Sequence, residues 1–519
     1  MEWCARYLTG RHNRYDNKVI NSRVITIWSK LRLFIKPGQS LSQRVAFAGA
    51  WALGLRVTGR VLTTVRIIVL ARLLTPVAFG LVGVALLAVE LIERFTRLGV
   101  SAALIQRKED IKDYLDTAWT MVVIRGLVLG GLLFSSAPFV AGLFNAPAAR
   151  PVIQAMGIVL VLKSLTNNGI IYFQKELQVQ KRFVLEMSMI VTDLAVSIPA
   201  ALVLRNVWAL VYGVIAGTIA GVIVSYVIHP YRPRLRLDFQ KFKELFSYGM
   251  WVLSTDSAEY FLTKVDSIFV GRFMGIVSLG LYQMARRLSE LIGNEVANVA
   301  NSIAFPTYAK LQDSTAKLRY AFLSGTELIA LVTFPIAAIV FVLAPEIANI
   351  VLGKQWALSA PAMRVLGIAA AIYSLLSTGG SLFYAIGKPK FNTFMILVAS
   401  AVMVILLFPL SRILGLTGIA IAVLAGNTGG FLFLTWASTR ILNIGVKDLL
   451  KPLVCPVVIC LLLVITLMLA AHMVSLAGVG ELILVLCAGA LVYAASSLLL
   501  WRFFRAGPVR LLIALKGGR

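Results

Sequence analysis

The sequence predicts an all-α integral membrane protein of about fourteen transmembrane helices, arranged as two six-helix bundles in parallel repeat plus two C-terminal helices. Three observations carry that expectation. First, the 519 residues are 59% hydrophobic and only 14% charged, with a mean hydropathy of +0.86; soluble domains carry roughly a quarter charged residues. Second, runs of about 20 mostly apolar residues recur along nearly the whole chain. They are continuous rather than alternating, and helices are then the way to satisfy backbone groups in lipid. Third, the chain repeats itself. Shifted by two hundred positions, 245–292 falls on 45–92 without a gap and with 15 of 48 positions identical. The identities include Trp51/Trp251, Arg72/Arg272, Gly80/Gly280 and Glu90/Glu290, which chance sharing of Leu, Val and Ile does not supply.

The elements follow in order. Residues 1–42 form a basic arm without an apolar h-region, so it is not a cleaved signal peptide. Within it Val24, Ile27, Trp28, Leu31 and Phe34 recur at helical spacing among Arg23, Lys30, Arg32 and Lys36. That pattern fits a helix lying on an anionic membrane surface, and equally a solvated tail with one short helix. The first lobe, 43–229, holds spans near 43–70, 77–98, 115–142, 151–173, 184–204 and 207–228. A basic linker, 230–245, carries Arg232, Arg234, Arg236, Lys241 and Lys243 beside Phe239 and Phe242, and reads as an interfacial helix. The second lobe, 246–442, holds spans near 246–270, 277–303, 321–343, 357–386, 391–411 and 416–439. Two additional spans, near 452–472 and 480–501, occupy 443–502, and a basic tail closes the chain at 503–519. Glycines four apart, at Gly213, Gly217 and Gly221 and at Gly426 and Gly430, mark surfaces where helices approach closely. Pro335 and Pro409 mark kinks or ends.

The net charge of +27 would point to nucleic acid in a soluble protein. Here its placement decides. With the N-terminus cytoplasmic, inner segments carry 33 Lys and Arg and outer loops 6, a strong positive-inside bias. Both termini are therefore expected in the cytoplasm, the partners to be membrane lipids and no nucleic acid. Six spans, an even number, separate the two copies, so both enter the membrane in the same direction. The four cysteines (Cys4, Cys455, Cys460, Cys487) and three histidines (His12, His229, His472) have no metal-type spacing, and no metal or other cofactor is expected.

Charges inside spans cost about 2.5–3.5 kcal/mol each on insertion scales, so a cluster asks for a reason. In the first span Arg56, Arg60 and Arg66 fall on one face, within an arc near 120° at about 100° per residue. In the seventh, Asp256, Glu259 and Asp266 form a corresponding acidic face, with Lys264 beside it. Two readings stay open. The arginines line a wet cavity for an anionic substrate, with the acidic residues as coupling sites for Na⁺ or H⁺; or the two helices pair their charges across the lobe interface. Arg125, Arg286, Arg287 and Arg364 are further cavity candidates, Arg286 having Glu290 four residues on as a local partner. Glu90/Arg94 and Glu93/Arg97 share that spacing and read as structural pairs. The chain has no G-x-x-x-x-G-K-[ST] loop and no large loop with a paired-carboxylate or Ser/His site, so no enzyme is expected.

Several stretches resemble a known family. "LARLLTPVAFG" (70–80), "LGVSAALIQRKED" (98–110) and "WALV" (208–211) look like the first lobe of bacterial polysaccharide flippases. In the second lobe "VDSIFVGRFMGIVSLGLYQMARRLSEL" (265–291), Pro306, "LGKQWALSAP" (352–361) and "AIGKPK" (385–390) are closer still. Together they resemble the Wzx-type polysaccharide transporters of the multidrug/oligosaccharidyl-lipid/polysaccharide flippase superfamily. The resemblance runs from about residue 43 to 440; the chain departs from it at Ala78, where an acidic residue is usual, and in its long basic arm. It implies two six-helix bundles facing each other in a V, in the bacterial inner membrane. It also implies translocation of a polyprenyl-diphosphate-linked oligosaccharide to the periplasmic leaflet, for exopolysaccharide, lipopolysaccharide or O-antigen assembly beside a polysaccharide polymerase. An ion-coupled drug or metabolite exporter of the same superfamily is the alternative; a membrane glycosyltransferase would need an acidic catalytic loop that the sequence lacks.

Overall fold

A computed structural model describes residues 41–96, 104, 111–176, 178–242, 263–290, 293–474 and 478–504. The expectations for the arm up to residue 40, for Arg97, for Asp256 and Glu259, and for 505–519 lie outside them. Among the described residues the chain is helical throughout, with no strand. The principal helices are α1 (Leu41–Leu73), α2 (Pro76–Arg94), α3 (Lys112–Leu143), α4 (Ala149–Ser164), α5 (Val179–Leu204) and α6 (Trp208–Ile228). The second half adds α7 (Gly275–Glu290), α8 (Gly293–Leu311), α9 (Thr315–Glu346), α10 (Ala360–Ala385), α11 (Pro389–Leu442), α12 (Val446–Met473) and α13 (Val479–Phe504). Residues 263–269 are helical and join α7 through the π-helical turn Val270–Met274.

Ten helices among the described residues are long and apolar enough to cross a membrane. Helix α1 packs along α5. Trp51 meets Phe183 edge-on at 5.3 Å, and Gly59 lies under Met187 and Ile190. The long α11 is a hairpin of two antiparallel halves. Gly415 leaves helical geometry at φ +60°, a conformation that L side chains resist. Beyond it Gly426 packs on Ala399 and Met403, and Gly430 on Ala399. Gly213, Gly217 and Gly221 of α6 pack in the same way on Asp193, Ser197 and Met189 of α5, as their spacing predicts.

The halves meet along α2 and α7, and the contacts repeat with the sequence. A Cβ on Gly80 would strike the carbonyl of Ile276, and one on Gly280 would strike the carbonyl of Pro76. Since position 76 corresponds to 276 and 80 to 280, exchanging the copies exchanges the contacts, as at a two-fold interface. The other shared arginines obey the same exchange. Arg72 donates to the carbonyls of Ile350 and Val351 in the second half. Arg272 Nη1 donates to Asn145 in the first half at 2.8 Å, when that amide is turned to donate to Gly142. Trp356, fully buried, donates from Nε1 to the carbonyl of Ala71 at 2.8 Å, and Gln355 reaches the same oxygen at 2.8 Å. These bonds close one end of the junction. A single apolar core runs through it, including Val84 and Ala85 of α2, Tyr282 and Ala285 of α7, and Leu366 of α10. Ala78, the site of the departure noted above, is buried against Leu70, Leu74, Ala201 and Ala209, where a carboxylate would find no partner.

The first part of the linker corrects the expectation of an interfacial helix; residues 239–242 are helical and 243–245 lie outside the described residues. Residues 229–238 are not helical. Pro230 and Pro233 exclude a helix there, and the stretch forms an extended strap along α3. The backbone amides of Arg234, Arg236 and Asp238 donate to Asp116 Oδ1 (3.1 Å), Thr120 Oγ1 (3.1 Å) and Thr117 Oγ1 (3.2 Å). Tyr231 donates its hydroxyl to Asp116, and burial beside that carboxylate raises the phenol pKa.

Candidate functional site

Two polar regions face one another across α7. The first is cationic. Arg66 on α1 pairs with Asp193 on α5 at 2.8 Å and donates from Nε to Ser197 at 3.2 Å. Arg287 on α7, partly exposed, lies within electrostatic range of Arg60, Arg66 and Asp193. Arginines from both halves thus converge beside Asp193. Arg56, exposed, stands one turn along α1 from Arg60.

The expectation that Arg56, Arg60 and Arg66 face the acids of the seventh span is corrected in part. The partner of Arg66 is Asp193, in the apolar middle of α5. Asp266 is 1% exposed and accepts from its neighbour Ser267 N (2.7 Å), Tyr282 Oη (2.7 Å) and Arg286 Nη1. Arg286 also donates from Nε to Glu290 at 2.8 Å, as its i,i+4 spacing predicts. With donors on both oxygens, Asp266 is a fixed internal counter-ion. The carboxylates of the expected helical pairs Glu90/Arg94 and Glu93/Arg97 also reach beyond their own helix, Arg97 itself lying outside the described residues. Glu90 reaches Lys264 in the other half at 2.9 Å, and Glu93 reaches Lys163 of α4 at 2.9 Å. Arg125 donates to the Glu93 carbonyl and to Thr96 Oγ1, each at 3.1 Å from Nη2, fixing the end of α2. Arg364 is exposed in the first turns of α10, away from both regions.

The second region is a cavity of about 910 Å³ bounded by the 263–266 turn, α7, α8, α10 and α11. Its volume lies in the ~300–1,000 Å³ range of small-molecule sites. The triad of Asp266, Arg286 and Glu290 forms one wall. The rest is uncharged and hydrogen-bonding, with Asn301, Asn392, Asn427, Tyr373, Tyr384 and Ser377 among its lining. Sequence reasoning sought charges and missed these residues. A signal was present: polar side chains at 373, 377, 381 and 384 recur on one face of an apolar span. No group of His, Cys, Asp and Glu among the described residues could hold a metal ion.

Fold and site together define a polytopic membrane protein of the two-bundle transporter architecture. Solved structures share it: lipid II flippase MurJ in an inward closed conformation superposes with a TM-score of 0.68 at 15% identity, covering 87% of this chain and 99% of that one. An inward-facing multidrug resistance MATE family transporter superposes at 0.59 and 14% identity, covering 76% and 96%. The chain belongs to the polysaccharide biosynthesis protein family, whose profile matches residues 69–361. Among its relatives, the teichuronic acid biosynthesis protein TuaB of Bacillus subtilis (strain 168) is 24% identical over 293 residues, 56% of this chain and 61% of TuaB. The lipopolysaccharide biosynthesis protein WzxC of Escherichia coli (strain K12) is 24% identical over 365 residues, 68% of this chain and 73% of WzxC. The succinoglycan biosynthesis transport protein ExoT of Rhizobium meliloti (strain 1021) is 22% identical over 311 residues, 60% and 63%. The matches to TuaB and ExoT thus span less than two thirds of those relatives.

Proposed function

We propose that the protein is a flippase that carries a polyprenyl-diphosphate-linked oligosaccharide from the cytoplasmic to the periplasmic leaflet for cell-surface polysaccharide assembly. The observation that carries this reading is the convergence of Arg60, Arg66 and Arg287 from both halves beside one carboxylate, at the junction of a membrane-embedded fold. A group of arginines at that depth favours an anionic ligand, and a diphosphate is one. The names of TuaB, WzxC and ExoT, each tied to an extracellular or envelope polysaccharide, support the glycan. In this reading Arg60 and Arg287 hold the headgroup, Arg56 extends the path, and Arg66 is held in place by Asp193.

The lysine and arginine distribution puts both termini in the cytoplasm of a bacterial inner-membrane protein. The end closed by Arg72, Gln355 and Trp356 is then periplasmic, and the structure corresponds to a state open or occluded toward the cytoplasm. Rocking one half against the other would expose the headgroup to each side in turn. Coupling to Na⁺ or H⁺ rests on Asp256 and Glu259, since Asp266 is engaged; Asn and Gln replacements there should abolish dependence on the ion gradient. A polysaccharide polymerase on the periplasmic side is the natural recipient of the product.

A deletion strain fed radiolabelled sugar tests the reading. Lipid-linked oligosaccharide should accumulate on the cytoplasmic leaflet while surface polysaccharide is lost. Normal lipid intermediates together with heightened sensitivity to toxic compounds would replace the flippase with an exporter.

A further inference from the structure

We infer that the cavity among α8, α10 and α11 is a saccharide subsite, which receives the uncharged glycan of the lipid-linked substrate while the arginine cluster holds its diphosphate. The inference rests on the flippase reading and adds to it where, and by which residues, the sugar is recognised.

Three amides, one on α8 and one on each half of α11, carry the argument. Asn301 accepts from Ser381 Oγ at 3.1 Å, Asn392 donates to Tyr384 Oη at 3.1 Å, and Asn427 donates to the carbonyl of Ala369 at 2.9 Å. Each amide is thereby fixed in orientation by one of its two ends. The other ends, the amino group of Asn301 and the carbonyl oxygens of Asn392 and Asn427, have no protein partner among the described residues. Fixed donors and acceptors pointing into one space suit a ligand that offers both, which is the property of a hydroxyl. Tyr373 and Tyr384, 42% and 51% exposed, stand three turns apart on the same face of α10 and line the same space. Their rings supply flat apolar area with a polar tip, the complement of a pyranose, whose C–H face is apolar and whose rim is polar.

Charge excludes the other ligand classes. The carboxylates of the wall, Asp266 and Glu290, are both engaged by Arg286. Among the described residues of its lining, the cavity therefore offers no free cation for a diphosphate and no free carboxylate for a cationic drug. Its volume of about 910 Å³ exceeds what one sugar ring fills. Its position also fits: Arg286 belongs to the cavity wall and the next residue, Arg287, to the cationic cluster. Successive residues on a helix point about 100° apart. A diphosphate held on one side of α7 thus places the attached glycan toward the other.

The test uses the full-length protein in lipid nanodiscs, its equilibrium binding measured for two probes: polyprenyl diphosphate, and the polyprenyl-diphosphate oligosaccharide extracted from the deletion strain. The wild-type protein should bind the glycosylated probe about tenfold more tightly, as a few added hydrogen bonds would give. Asn427→Ala and the conservative Tyr384→Phe should each reduce that preference while leaving affinity for polyprenyl diphosphate unchanged. The unchanged arm separates loss of the subsite from loss of the fold. Equal wild-type affinity for both probes would overturn the saccharide subsite and leave the flippase reading standing. Failure of the wild-type protein to bind either probe would remove both.

Discussion

At the scale of the residue, the account turns on which charges pair inside the protein and which are proposed to meet a ligand. Arg66 and Asp193 are mostly buried, with side chains 12% and 20% exposed. Removing one partner of such a pair leaves a stranded charge, at a cost of about 3 kcal/mol. Asp193→Asn should therefore lower the melting temperature in detergent, and pairing it with Arg66→Gln should recover part of the loss; an additive double variant would show that the two do not interact. Arg60, exposed, and Arg287, partly exposed, are the residues proposed to hold the headgroup. Alanine at both should abolish transport at normal protein abundance, and lysine should retain some, because the charge is kept and the guanidinium fork is lost. Wild-type export by the double alanine variant would take them out of the site. The face shared by Arg56, Arg60 and Arg66 was legible from helical spacing alone. Its partner was not, because Asp193 lies in a distant span and periodicity says nothing about which helices touch. His229, outside the spans, gives a pH dependence. Its Nδ1 accepts from the amide of Tyr231 at 3.1 Å, and burial together with Lys181 and Arg232 lowers its pKa below 6.5. The unfolded chain then binds the proton first, so stability contributed by His229 is present above about pH 6.5 and is lost as pH falls through the lowered value. Melting temperatures at pH 5 and pH 8 should differ less in His229→Gln than in the wild type.

At the scale of the element, the duplicated stretch was the most legible feature, and the structure supplies a physical cause for its identities. Gly80 and Gly280 match because each lies against a carbonyl of the other copy, and Arg72 and Arg272 match because each bonds to a turn of the other half. Neither cause was visible from one sequence, which records the repetition but not the axis. Gly80→Ala and Gly280→Ala should both prevent close approach of α2 and α7, and so shift the population away from the closed end. Greater labelling of a cysteine placed at residue 76 in these variants would report that shift; unchanged labelling would show that the junction can adjust. The linker was misread for an identifiable reason. Its basic and aromatic composition fits an interfacial helix, but Pro230 and Pro233 and the alternation Arg234-Leu235-Arg236-Leu237 already encode an extended strap. Composition was given more weight than backbone chemistry.

At the scale of the whole molecule, the fold class followed from hydropathy and repetition, since both are integrated over hundreds of residues. The cavity did not, because three asparagines scattered over 301, 392 and 427 converge only after α8, α10 and α11 pack. The closed end adds directional bonds to the apolar core: Arg72 to Ile350 and Val351, and Trp356 and Gln355 to Ala71. Such bonds contribute about 1 kcal/mol each, small enough to exchange for others during a transport cycle. Locking that end with a disulfide between Ala71→Cys and Gln355→Cys should stop transport under oxidising conditions and restore it on reduction. Transport that continues through the oxidised pair would contradict alternating exposure. The most direct measurement is made on purified protein in vesicles loaded with fluorescent polyprenyl-diphosphate oligosaccharide, with leaflet exchange read by a membrane-impermeant quencher. The account predicts exchange with wild-type protein and none with Arg60→Ala/Arg287→Ala. Exchange that is absent from wild-type vesicles, or equal in the two, would contradict it.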